Sequence, residues 1–101
     1  MQQPITKQQI EELREQNSTV NLIDIRPPAE YEKMHVPGSL NMPAETIRDN
    51  IAKLDTNDTI VCICTKGLER SQHAAEAISA MGFANVFYLE DGAVGWLAEQ
   101  A

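Results

Sequence analysis

The chain has 101 residues, enough for one hydrophobic core and too few for two, so a single domain over residues 1–101 is expected. Eight Lys and Arg against fifteen Asp and Glu leave a formal net charge of −7, a field that opposes binding to nucleic acid or to an anionic membrane surface. No stretch approaches the roughly 18 apolar residues of a membrane span, and Met1-Gln2-Gln3-Pro4 has neither the cationic start nor the apolar run of a secretory leader, so a soluble cytoplasmic protein is expected.

In chain order, Thr6-Lys7-Gln8-Gln9 reads as a capping box opening a helix through about Glu15, with Ile10 and Leu13 on its buried face, and Asn17-Ser18 ends it. Residues 20–25 form a strand by their apolar and β-branched content, stopped by Arg26-Pro27-Pro28. One or two helical turns over 29–34 and a turn at Val36-Pro37-Gly38-Ser39 follow, then a short strand over 40–42. Residues 44–54 carry Ile47, Ile51 and Leu54 at helical spacing, and Asp55-Thr56-Asn57-Asp58 is a loop. The run Thr59-Ile60-Val61-Cys62-Ile63-Cys64 is a strand apolar on both faces. A helix over 71–81 closed by Gly82 comes next, then a strand over 86–89 and a last helix carrying Trp96 and Leu97. Alternating strands and helices around a doubly apolar strand predict an α/β domain, a parallel sheet covered on two sides.

Cys64 is the residue that carries chemistry. It stands at the carboxyl end of the central strand, where open parallel sheets bind ligands, with a Gly-containing loop behind it and a helix amino end beside it. Backbone amides in such a cradle favour negative charge, and Lys66 and Arg70 add cations, so the thiol is expected to ionise at neutral pH and act as a nucleophile. Cys62, in mid-strand, is expected to be an inert core residue. Two cysteines one residue apart on a strand have poor disulfide geometry, and His35 and His73 lie far from each other and from any second cysteine pair. Neither a disulfide, a metal nor another cofactor is expected.

The motifs in order resemble those of rhodanese-like domains. Asp24-Ile25-Arg26, Glu30-Tyr31, His35-Val36-Pro37-Gly38-Ser39 and Asn41-Met42-Pro43 match the amino-terminal signature. Cys64, Gly67, Arg70-Ser71, Gly82-Phe83, Val86, Leu89, Gly92 and Trp96 match the carboxyl half. The resemblance covers 20–96 and implies a doubly wound rhodanese-like domain of about five parallel strands with helices on both faces. It implies a site in which Cys64 is catalytic and the loop of Thr65, Lys66, Gly67, Leu68, Glu69 and Arg70, with Ser71 after it, binds an anion.

Three departures stand out. Met34 replaces a glycine before the histidine, Asp91-Gly92 replaces Gly-Gly, and five residues, Thr65 to Glu69, separate Cys64 from Arg70 where sulfurtransferases of this kind usually have four. The longer loop resembles the cell-cycle dual-specificity phosphatases and arsenate reductases of the same superfamily, since one more residue widens the ring of amides toward a tetrahedral oxyanion. Ile63 before the cysteine, where those phosphatases have His, and Thr65-Lys66-Gly67 after it resemble thiosulfate-using members instead.

Three functions are therefore open. The first is a sulfurtransferase carrying sulfane sulfur as a Cys64 persulfide from thiosulfate or another persulfide donor to cyanide, a thiol or a protein acceptor. The second is a phosphatase or arsenate reductase that binds an oxyanion in the seven-residue Cys64–Arg70 loop. The third is a non-catalytic sulfur carrier or regulatory module. A monomer is expected in each case. Among the surrounding residues, Arg70 is expected to clamp the anion, Lys66 to steer it, Ser71 to cap the helix and steady the thiolate, and Glu69 to point outward. The resemblance assigns Asp24, Arg26 and Glu30 to structure, tying the early strand to the following turn, and His35 is expected to hydrogen-bond locally. His73 is expected to be exposed on its helix.

Overall fold

A computed structural model describes residues 3–99. The reading of the amino end rests partly on Met1 and Gln2, which lie outside those residues. Five strands, β1 (Gln3–Ile5), β2 (Val20–Asp24), β3 (Leu40–Asn41), β4 (Thr59–Ile63) and β5 (Asn85–Leu89), form one sheet in the order β1-β5-β4-β2-β3. Every pairing is parallel, and β4 sits at the centre with Asp24 opposite Ile63 and Cys62 opposite Tyr88.

The alternation along β4 divides the core. Ile60, Cys62 and Cys64 face one cluster, packed with Ile47 and Ile51 and with Ala74, Ala75 and Ile78 of α4 (Glu69–Ala80). Val61 and Ile63 face the other, packed with Ile10 of α1 (Lys7–Glu15) and with Ala93 and Trp96 of α5 (Gly92–Glu99). All five β4 residues are buried. The expected two-sided parallel sheet is thus present, with α1 and α5 on one face and α4 on the other.

The capping box on α1 is complete, Thr6 Oγ1 accepting from the Gln9 amide at 3.1 Å and Gln9 Oε1 from the Thr6 amide at 2.9 Å. Three elements differ from expectation. Strand β1 pairs with β5 at the sheet edge; three residues including Pro4 are too short to show a strand period, and proline is tolerated there because an edge strand need not donate. Residues 44–54 do not form one helix. A 3₁₀ turn (Ala44–Thr46), α3 (Ile47–Asn50) and a second 3₁₀ turn (Ile51–Lys53) follow one another. Thr46 Oγ1 donates to the Pro43 carbonyl at 2.8 Å and Asn50 Nδ2 to the Thr46 carbonyl at 3.2 Å, local bonds that compete with the helical ladder. Helix α4 starts at Glu69, two residues before the expected Ser71, because Glu69 and Arg70 are good helix formers and an acidic residue suits a first turn.

Helix α2 (Pro28–Lys33) opens with Pro28 in its first turn. It is anchored from below. Asp24 and Arg26 are both buried, and Arg26 Nε and Nη2 donate to the Asp24 carboxylate at 2.9 and 2.7 Å while Nη2 also reaches the Met34 carbonyl at 2.9 Å. The hydrogen bond to Asp24 raises the Arg26 pKa above its ordinary value against the cost of burial, so the guanidinium stays charged. Tyr31 donates its hydroxyl to the Ser39 carbonyl and stacks on His35, whose Nδ1 lies 2.8 Å from the Tyr31 carbonyl. Among the described residues no helix is long and apolar enough to cross a membrane.

Candidate active site

Strand β4 ends at Ile63, so Cys64 is the first residue beyond the sheet's central strand, and four residues, Thr65 to Leu68, carry the chain to α4. Cys64 is only 2% exposed and lies at the floor of an open cup of about 580 Å3. Thr65, Lys66, Leu68, Glu69, Arg70 and Gln72 line the rest. The sequence reading did not include Gln72, which lies one turn into α4 on the side facing the cup; helical periodicity counted from Glu69 rather than Ser71 would have found it.

Burial alone pushes the Cys64 thiol up. Against it, the Ser71 hydroxyl and the amides of Ser71, Leu68 and Gly67 hydrogen-bond the sulfur, and the net effect holds its pKa below the ordinary thiol value. Ser71 Oγ is 3.2 Å from Cys64 Sγ and donates to the Leu68 carbonyl at 3.1 Å. Ser71 is therefore the third residue of α4 and not its amino cap. The cap position is Leu68, which has no side-chain capping bond. Leu68 is itself 61% exposed at the cup's edge. Cys62 is the opposite case: burial, then the neighbouring Cys64, pushes its thiol up to about 12, so it stays protonated in the core as expected.

The loop keeps its shape because backbone packs on backbone. Gly67 has φ +72°, and a Cβ there would lie 2.6 Å from the Leu89 carbonyl oxygen and 2.8 Å from the Asp91 amide nitrogen. Gly92, with φ +62°, fits equally close against the Cys64 and Thr65 carbonyls and the Gly67 amide. From the start of α5, Ala93 N–H donates to the Cys64 carbonyl at 2.9 Å and Val94 N–H to the Thr65 carbonyl at 3.1 Å. The amino end of α5 thus holds the Cys64 and Thr65 carbonyls, while the Gly67, Leu68 and Ser71 amides hydrogen-bond the sulfur. Asp91 takes the place of a glycine at φ +64°, a conformation Asp tolerates.

Arg70 lines the cup from the first turn of α4. Its side chain is half exposed in the first turn of α4, and Nη2 donates to Thr65 Oγ1 at 3.1 Å and pairs with Glu30 Oε1 at 3.5 Å. Thr65 Oγ1 donates in turn to Glu30 Oε1 at 3.3 Å. Glu30, assigned to structure beside Asp24 and Arg26, therefore reaches the rim of the cup, while Asp24 and Arg26 form the structural pair expected of them. Lys66 and Glu69 are exposed, and Glu69 lines the cup's edge. His73 is exposed and lines a separate groove of about 850 Å3 beside α4, which shares Arg70 with the cup.

Residues 6–99 match the family described as rhodanese-like domain. The thiosulfate sulfurtransferase GlpE of Pseudomonas savastanoi is 33% identical over 94 residues, covering 93% of this chain and 86% of that protein. YrkF of Bacillus subtilis, named as a candidate sulfur carrier protein, is 34% identical over 80 residues, covering 79% of this chain, and the match spans only 43% of YrkF. A solved structure from Rhodopseudomonas palustris, described as a protein of unknown function and possible tyrosine phosphatase, superposes with a TM-score of 0.80 at 26% identity, covering 99% of this chain and 83% of that one.

Proposed function

This chain belongs to the rhodanese-like domain family, and from that premise we propose that it is a sulfurtransferase whose Cys64 carries sulfane sulfur as a persulfide. The observation that carries the reading is Cys64 itself, a thiol with a lowered pKa at the floor of a cup, ringed by the Gly67, Leu68 and Ser71 amides. The thiolate attacks the outer sulfur of thiosulfate, the Cys64–sulfur bond forms as the donor's S–S bond breaks, and sulfite leaves with the electron pair. The terminal persulfide sulfur keeps the negative charge, and the amide ring stabilises it there. Attack by cyanide, a thiol or a protein thiolate on that sulfur releases thiocyanate or a new persulfide and returns the Cys64 thiolate. The GlpE relative, a thiosulfate sulfurtransferase, supports the small-molecule donor; the likeness to YrkF supports a protein acceptor as the physiological partner.

A phosphatase needs a guanidinium on the equatorial oxygens and a general acid for the leaving group. Arg70 is engaged at the rim by Thr65 and Glu30, and His73 lines the neighbouring groove, which speaks for sulfur transfer over phosphate chemistry. Incubation with thiosulfate and cyanide tests the reading: thiocyanate forms with wild type and not with Cys64→Ser, and aryl phosphate stays intact. Aryl-phosphate hydrolysis dependent on Cys64, without thiocyanate formation, would replace this reading by the phosphatase one.

A further inference from the structure

We propose that Glu30 is a specificity-determining residue of the cup, the built-in counter-ion of Arg70, which selects against dianionic ligands and in favour of sulfur donors of low charge such as organic persulfides. The inference rests on the sulfur-transfer reading above and adds the donor class. Its basis is a closed triangle across the mouth. Arg70 from the first turn of α4 donates to Thr65 beside the nucleophile, Thr65 donates to Glu30, and Glu30 pairs with Arg70, at 3.1, 3.3 and 3.5 Å.

Glu30 is 35 residues from Thr65 in the chain, so the meeting is a product of the fold. The element that presents it is held firmly: Arg26, buried and paired with Asp24, fixes the carboxyl end of α2 through the Met34 carbonyl, and the Tyr31 hydroxyl fixes the same helix to Ser39. Charge at the rim then balances. Lys66 and Arg70 bring two cations, and Glu30 and Glu69 bring two carboxylates. Attraction for an anion is left chiefly to the Gly67, Leu68 and Ser71 amides, which hydrogen-bond the Cys64 sulfur itself. A dianion that seeks Arg70 meets a guanidinium already offset and a carboxylate that repels it. An organic persulfide has no oxyanion group to seek Arg70: from its protonated form the Cys64 thiolate takes the outer sulfur, the donor's S–S bond breaks, the donor thiolate leaves with the electron pair, and the proton on the transferred sulfur passes to it, leaving an anionic Cys64 persulfide in the amide ring.

Sulfate is the probe, because it is an unreactive dianion and its binding is read without any sulfur transfer. Its dissociation constant comes from protection of Cys64 against iodoacetamide. Glu30→Gln should bind sulfate roughly two- to fivefold more tightly than wild type, the range of a half-exposed ion pair, with the gain shrinking in added sodium chloride. Arg70→Ala combined with Glu30→Gln should abolish the gain. Thiosulfate KM should fall by a similar factor in Glu30→Gln with kcat unchanged, and turnover with cysteine persulfide should not move. Unchanged sulfate affinity in Glu30→Gln, or a gain that survives loss of Arg70, would overturn the proposal. Failure of the sulfur-transfer reading would show separately, as sulfate binding that responds to Glu30 in a protein that turns over neither donor.

Discussion

Replacing Ser71 by Ala removes the side chain whose oxygen is 3.2 Å from Cys64 Sγ. A hydrogen bond to a charged group stabilises by about 1.5–3 kcal/mol. The Ser71 hydroxyl has a single proton, and with Cys64 protonated that proton rests on the Leu68 carbonyl at 3.1 Å. When the thiol ionises the proton must turn to the sulfur and leave the carbonyl, at a cost of about 0.5–1.5 kcal/mol. The net expectation is therefore a rise in the Cys64 pKa in Ser71→Ala, from a loss of about 1 kcal/mol of thiolate stabilisation. The Gly67, Leu68 and Ser71 amides remain and still oppose burial. The assay is the rate of iodoacetamide alkylation against pH, with peptide mass mapping to confirm that Cys64 alone reacts, since Cys62 is buried and protonated. Lowering of the Cys64 pKa by folding also means that ionisation adds stability fully present above the unfolded thiol's pKa. That stability is lost as pH falls through the folded value, and Ser71→Ala should shrink the contribution. An alkylation midpoint that stays in place or moves to lower pH in Ser71→Ala would refute the account of how this thiolate is held.

Gly67→Ala should cost about 2 kcal/mol or more and slow alkylation of Cys64 at neutral pH. The new Cβ meets backbone atoms at 2.6 and 2.8 Å that cannot swing aside, and the residue sits at positive φ; chemical denaturation and alkylation measure the two effects. Arg26→Ala strands the buried Asp24 carboxylate, so we expect a loss of about 3–5 kcal/mol and a melting temperature lower by about 12 °C or more, by calorimetry. Protein that stays folded at low temperature should keep an alkylatable Cys64, since Arg26 holds α2 and not the amide ring.

Much of this was legible because the signals are local or periodic. The capping box at Thr6, the apolar run of β4 and the position of Cys64 at its end follow from chain chemistry, and the ordered motifs from Asp24 to Trp96 pointed to the family. What escaped was tertiary. Glu30 lies far along the chain from the loop it touches, and only the placement of α2 brings it to Arg70. The support that Gly92 and the α5 amides give the loop depends on backbone approach, which leaves no side-chain pattern beyond a glycine. The count of residues from Cys64 to Arg70 spans both the loop and the start of a helix, which the chain alone did not show. Helix α4 already begins at Glu69, so deleting Glu69 would turn Ser71 by roughly 100° about the helix axis and take its hydroxyl from the sulfur, and would not simply tighten the ring.

Mass spectrometry of the intact protein after thiosulfate and removal of excess donor shows whether Cys64 carries sulfane sulfur. A gain equal to one sulfur atom is expected, located on Cys64, retained in Cys62→Ser, absent in Cys64→Ser and discharged by cyanide. A wild-type protein that gains no sulfur from thiosulfate or from cysteine persulfide, or that carries it on Cys62, would contradict it.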